Sequence, residues 1–213
     1  MLLDFGFGCR PAVFAPLLGS GIFTQEGDAW RRSRELLRKQ FARAKYQDLD
    51  RSFGEHVDNL IACIPSEGNV DLQPLFFNLT LDSTTALLFG RSVYSLRAGI
   101  DQDAENRLFA ESFNVAQEGL AKRFRLVPFH FLYSPPSFRR ACQDVHRFVE
   151  GYIRERRLMD AHTRMESDER DPTSWFVEEV AAECTSETSL RDQLLNVLLA
   201  GRDTTACCLS WTL

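Results

Sequence analysis

From Asp28 to Leu213 the apolar residues return every three or four positions almost without interruption, and no stretch alternates apolar with polar as a half-buried strand does. A chain with that period must bury helix faces against one another, so the fold class it dictates is all-α. Residues 28 to 44, DAWRRSRELLRKQFARA, place Trp30, Leu37 and Phe41 toward one face, with basic residues around the rest and Asp28 as the expected N-cap. Residues 45 to 64 follow, with Leu49, Phe53, Val57, Leu60, Ile61 and Ile64 as the apolar set and Pro65 as the stop. Residues 71 to 89 are apolar on several sides and predict a buried helix closed by Gly90. Two longer helices, 102 to 124 and 136 to 159, flank the aromatic, proline-containing link RLVPFHFLYSPP, which suits a mobile, exposed apolar cap. The charged run Asp160 to Asp171 is expected to loop out, Pro172 to Glu183 to form a short amphipathic helix, and a last helix to begin near Ser189. The residues before Asp28 read as a loop-like start. No repeat and no linker divides the 213 residues, which are read as one domain.

Composition bounds the function. At 44% hydrophobic and 26% charged the chain can bury one substantial core. Seventeen Phe against three Trp and four Tyr suit a large apolar interior or a greasy ligand pocket. A net charge of -5 argues against nucleic acid as a partner, although one stretch, with Arg31, Arg32, Arg34, Arg38, Lys39, Arg43 and Lys45, is strongly basic. The six cysteines form no C-x-x-C pair and have no zinc-spaced histidines, so neither a metal site nor a disulfide framework is expected, and a reducing compartment is the simplest inference. Cys207 and Cys208, on a helical pattern, read as buried apolar filler. The N-terminal stretch has no basic n-region and no unbroken apolar run, so neither a signal peptide nor a membrane span is expected. The sequon at Asn78 to Thr80 falls on a buried-looking helix, which disfavours glycosylation.

Two stretches carry groups that packing alone does not require. In LLNVLLAGRDTTACCLSWTL, residues 194 to 213, an apolar run gives way to Ala200 and Gly201, then to Arg202, Asp203 and two threonines. Glycine inside a helix costs roughly 1 kcal/mol relative to alanine, and it marks close approach by another backbone or by a flat ligand. A carboxylate and a hydroxyl beside it suggest a wet polar notch; the other reading turns Arg202, Asp203 and Thr205 to solvent. The second stretch sets Trp30 and Arg34 at i, i+4, two donors on one helix face that suit a buried dianion, or else a core tryptophan beside a solvated basic face.

Together W-R-x-x-R and A-G-R-D-T-T resemble the cytochrome P-450 superfamily of haem-thiolate monooxygenases. The phrases PLLGSGIFTQEGDAWRRSRELLRKQF and LRDQLLNVLLAGRDTTA look closest to its fungal branch that hydroxylates n-alkanes and fatty acids. The resemblance implies a partial fold, from the loop before helix C to helix I, with haem b as cofactor. It implies that Trp30 and Arg34 hold a haem propionate, that Ala200 and Gly201 let helix I pass close to the haem face, and that Asp203 and Thr204 are the acid–alcohol pair that manages protons. It also implies O2, a small apolar substrate, electrons from NADPH through NADPH-cytochrome P-450 reductase, and a full-length parent on the cytosolic face of the endoplasmic reticulum membrane. The basic set Arg31, Arg38, Lys39 and Arg43 would then help dock an acidic reductase.

The departures are specific. The family's axial cysteine loop, its E-x-x-R pair and its membrane anchor have no counterpart among these residues. FGFGCR, residues 5 to 10, imitates the ligand loop but precedes helix C and is read as a decoy, and Cys207 and Cys208 follow the acid–alcohol pair on the wrong side. The chain is therefore expected to be a fragment, inactive alone. The alternative is a non-catalytic all-α interaction module derived from the same fold.

Overall fold

A computed structural model describes residues 6–43, 49–97, 103–166 and 175–213, and no strand occurs among them. Eight α-helices carry those residues: α1 (Arg10–Leu18), α2 (Gly27–Arg43), α3 (Leu49–Ala62), α4 (Leu72–Phe89), α5 (Ala104–Arg125), α6 (Pro136–Glu166), α7 (Trp175–Glu183) and α8 (Glu187–Thr212). The all-helical expectation holds.

The main core forms where α5 crosses α6 and where both meet α8. Phe109 stacks on Phe148 with ring centroids 4.2 Å apart, and Phe113, Val145, Leu190, Leu194 and Leu198 are fully enclosed around them. Each such side chain contributes about 1.5–3 kcal/mol by leaving water. The α5–α6 crossing depends on Gly119, because a Cβ there would strike the ring of Phe138 at 2.1 Å. The other extensive contact is α4 against α8. Asp71 caps α4 by accepting from Gln73 N, and Gly90 closes it in the left-handed region with φ 69. Ser186 caps α8, accepting from Ser189 N at 3.1 Å, so the last helix starts two residues before the expected point.

Several expectations require correction. The start of the chain is not a loop: residues 10–18 are helical, with Pro11 in the first turn where its missing N–H is harmless. Asp28 is not an N-cap; α2 begins at Gly27, which leaves Asp28 in the first turn, paired with Arg31 at 2.9 Å. On α3 the inward face is His56 and Leu60, while Val57, Ile61 and Ile64 are 42 to 59% exposed. Phe41 is half-exposed and meets Phe176 edge to face. The charged run does not loop out at once, since α6 continues to Glu166: Met, Ala, Arg and Glu are good helix formers. The remainder of that run, Pro172 and the residues 45 to 48 lie outside the described residues. Cys207 and Cys208 are exposed, not buried filler.

The helices fix one loop firmly. Asp192 and Asn196, one turn apart on α8, reach back to residues 18–23: Asp192 accepts from Ser20 N at 2.8 Å, and Asn196 accepts from Phe23 N and donates to Leu18 O, both at 3.0 Å. Gly19 and Gly21 make room for those two side chains, and any Cβ at either position would lie within 2.3 Å of them.

Candidate active site

The middle of α8 sorts its polar residues by direction. Arg202 is buried, 4% exposed, with its guanidinium over the rings of Phe77 at 4.9 Å and Phe113 at 5.5 Å. It donates to Asn114 and Gln117 of α5 and, at 3.1 Å, to Asp203. Burial pulls this guanidinium below its ordinary value, and Asp203 opposes the shift. The solvent-facing reading of Arg202 is therefore wrong; its flat, weakly hydrated cation fits between rings. Asp203, with a side chain 40% exposed, also accepts from Gln117 Nε2 at 2.6 Å, so its carboxylate is oriented from two sides and still reaches water. The Thr204 hydroxyl donates to Ala200 O at 2.6 Å, one turn back.

Ala200, Asp203 and Thr204 stand on one wall of a pocket of about 420 Å³ between α1, α5 and α8. Phe14 and Leu18 supply the α1 wall, Leu120, Ala121 and Phe124 the α5 wall, and Leu199 completes α8; Arg10 and Gln117 add the remaining polar atoms. Gly201 does not join them. It faces α4, where Thr84 occupies the space a side chain would need.

Arg123 clamps α1 to the link that follows α5. Its buried guanidinium donates to Ala12 O and Val13 O of α1 and to His130 O and Tyr133 O of the link after α5, at 2.9 to 3.2 Å. The link itself is apolar and open, with Phe129, Phe131 and Leu132 each more than half exposed.

Trp30 and Arg34 pair on α2, the guanidinium 5.5 Å from the indole centroid. Arg34 is exposed and has no carboxylate partner among the described residues. The neighbouring Ser33 accepts from Gln193 Nε2 at 2.6 Å, which ties α2 to α8 about 10 Å, seven residues, before Ala200. The Trp–Arg pair does not line the pocket. The candidates thus fall into three places: a donor pair on α2, a packing glycine on α4's side of α8, and three residues on the pocket wall.

Arg10, Asn114, Gln117 and Arg123 escaped the sequence reading. Asp192 and Asn196 had left a signal, two polar residues at i, i+4 in an otherwise apolar helix. The others lie on ordinary amphipathic faces and acquire roles only through the helix opposite.

The geometry by itself defines a class, a small-molecule pocket walled by three helices with an acid–alcohol pair on its rim. The comparison with known proteins narrows that class: residues 5–213 match the Cytochrome P450 family model, and the chain belongs to that family. A protein named "Cytochrome P450" of Arthroderma benhamiae is 43% identical over 195 residues, covering 92% of this chain and 39% of the relative. "Cytochrome P450 52A13" of Debaryomyces hansenii is 41% identical over 218 residues, covering 98% of this chain and 41% of the relative. "Cytochrome P450 52A9" of Candida maltosa is 40% identical over 224 residues, covering 99% and 41%. The chain spans about two-fifths of the length of these relatives. The fold agrees: the crystal structure of the cytochrome P450DA heme domain superposes with a TM-score of 0.67 at 16% identity, over 95% of this chain and 43% of that one. The fold is part of a cytochrome P450 haem domain.

Proposed function

We propose that this chain carries the substrate pocket and the proton-handling helix of a haem-dependent monooxygenase, whose full length inserts one oxygen atom of O2 into an n-alkane or fatty acid. The observation that carries the reading is the placing of Asp203 and Thr204 on the rim of an apolar pocket in a member of this family. The 213 residues act as one partial domain, and the chain by itself is inactive.

The residues present fit a haem. Trp30 and Arg34 bring an indole and a guanidinium together, and among the described residues no acid neutralises Arg34, which suits a propionate. A bound haem supplies the redox chemistry, with NADPH as electron source through NADPH-cytochrome P-450 reductase. The chain's own residues manage substrate and protons. Phe14, Leu120 and Phe124 hold a hydrocarbon away from water. Asp203, half-exposed and steered by Arg202 and Gln117, takes a proton at its carboxylate from bulk water. Rotation of Thr204 would turn Oγ1 from Ala200 O toward the pocket, where the hydroxyl donates a hydrogen bond, while water relays the proton from Asp203. Ala200 keeps the wall flat, and Gly201 lets α8 lie close to α4.

None of the six cysteines lines the pocket. Burial pushes the Cys142 thiol up to about 12, so it stays protonated. The axial thiolate comes instead from a segment beyond these residues. Among the described residues Arg38 has no ion-pair partner, and it forms part of the reductase-docking surface. Arg31 and Lys39 are engaged by Asp28 and Glu183, and the side chain of Arg43 lies outside the described residues. No helix among the described residues is long and apolar enough to cross a membrane. Attachment of the full-length protein to the cytosolic face of the endoplasmic reticulum rests on other segments.

Reduction with carbon monoxide tests the reading. The full-length protein is expected to give a thiolate-type red-shifted Soret band, and this chain reconstituted with haem is expected to give none. Such a band from the chain alone overturns the assignment of the ligand, and failure of the full-length protein to hydroxylate dodecane or dodecanoate overturns the function.

A further inference from the structure

We infer that Arg10 reads the anionic head of the substrate, so that the pocket selects a long-chain carboxylate over an uncharged hydrocarbon. This rests on the pocket being the substrate site. Arg10, the first residue of α1, lines the pocket with its guanidinium 5.1 to 5.6 Å from the ring centroids of Phe7, Phe14 and Phe23. Rings over a guanidinium face attract the cation but accept none of its five in-plane N–H groups. Among the described residues no carboxylate or carbonyl takes them: Glu26 accepts from Phe7 N without pairing with Arg10. A half-buried cation in that state is ready for a carboxylate, which would be held by two parallel hydrogen bonds.

The rest of the pocket has no competing cation. Asp203, the other charged group on the wall, is bound by Arg202 and Gln117 and repels a second carboxylate. The head is therefore fixed on α1, and the hydrocarbon is left for the apolar walls of α5 and α8. A neutral alkane could fill those walls but would leave the fork of Arg10 unpaired, an asymmetry that favours the acid.

Isothermal titration of the full chain with dodecanoate, methyl dodecanoate and dodecane tests this. Dodecanoate is expected to bind about tenfold more tightly than its ester, a difference of about 1.4 kcal/mol. Arg10→Gln should abolish that preference by weakening dodecanoate alone, and Arg10→Lys should retain part of it. Equal binding of acid and ester by the unaltered chain overturns the inference, and needs no variant to fold. Equal weakening of both ligands by Arg10→Gln overturns it as well. Binding of dodecane alone overturns the inference while sparing the apolar-pocket reading; binding of none of the three overturns both.

Discussion

Gly201 faces Thr84 across the α4–α8 contact, and a methyl group built on it would lie 3.0 Å from both Cγ2 and Oγ1 of that threonine. One residue earlier, Ala200 belongs to the pocket wall. Two adjacent small residues therefore serve different neighbours. The Thr84 side chain, β-branched and on a helix, has little freedom to retreat.

Gly201→Val should destabilise the chain by about 1–3 kcal/mol through overpacking. Thr84→Ala in the same chain should recover more than half of that loss, because the two changes share one space. Urea midpoints of the single and double variants measure it. Purely additive effects would mean that Thr84 is not what the valine strikes.

Thr204→Ala in the haem-loaded full-length protein should separate NADPH oxidation from product formation. NADPH consumption persists and peroxide rises, while hydroxylated product per NADPH falls on the order of tenfold, the scale of one lost hydrogen bond. Thr204→Ser should restore coupling. Unchanged product yield in the alanine variant would remove Thr204 from proton handling.

Arg38→Glu should slow the first electron transfer from the reductase by about tenfold at low ionic strength, with the defect shrinking as salt screens the contact. Arg38 is chosen because Lys39 is already bridged to Glu183 at 3.1 Å. Stopped-flow reduction reads the rate, and substrate affinity serves as control. A wild-type rate at low salt would place the docking surface elsewhere.

His146 makes stability depend on pH. Burial holds its imidazole below the ordinary value of 6.5, while its contact with Leu17 O, at 2.8 Å, acts in the opposite direction. Arg191 adds to the depression, and Asp192 and Glu150 oppose it. A depressed folded value means that the unfolded chain binds the proton first. The stabilisation is full above 6.5 and is lost as pH falls through the lower folded value. His146→Gln keeps a donor for Leu17 O and should flatten the fall in urea midpoint between about pH 7.5 and about pH 5.5. An equal slope in both proteins would assign the pH dependence to other groups.

Helical period was enough to read α4, α5 and α8 nearly to their ends, since caps such as Asp71 and Gly90 are written locally. It failed on α1, where Pro11 and Pro16 hide a helix held by contacts from α5, α6 and α8. It also failed on the inward face of α3, where His56 and Leu60 point to the core in place of Val57 and Ile61. At the site, Asp203 and Thr204 were visible because they interrupt an apolar run. Gln117, which orients Asp203, was not, because a residue 86 positions away has no local mark of the contact. The place of Arg202 stayed open for a related reason: a cation's burial depends on rings supplied by α4 and α5.

Arg123 directs its four hydrogen bonds to main-chain carbonyls, which every residue type possesses. The clasp therefore recognises the path of the backbone and is indifferent to the side chains along it. Ala12, which is exposed, can change identity without loosening it, whereas Val13 is fully buried in its own right. A frame held in this way leaves the exposed link free to diversify in sequence while the course of the chain stays constant.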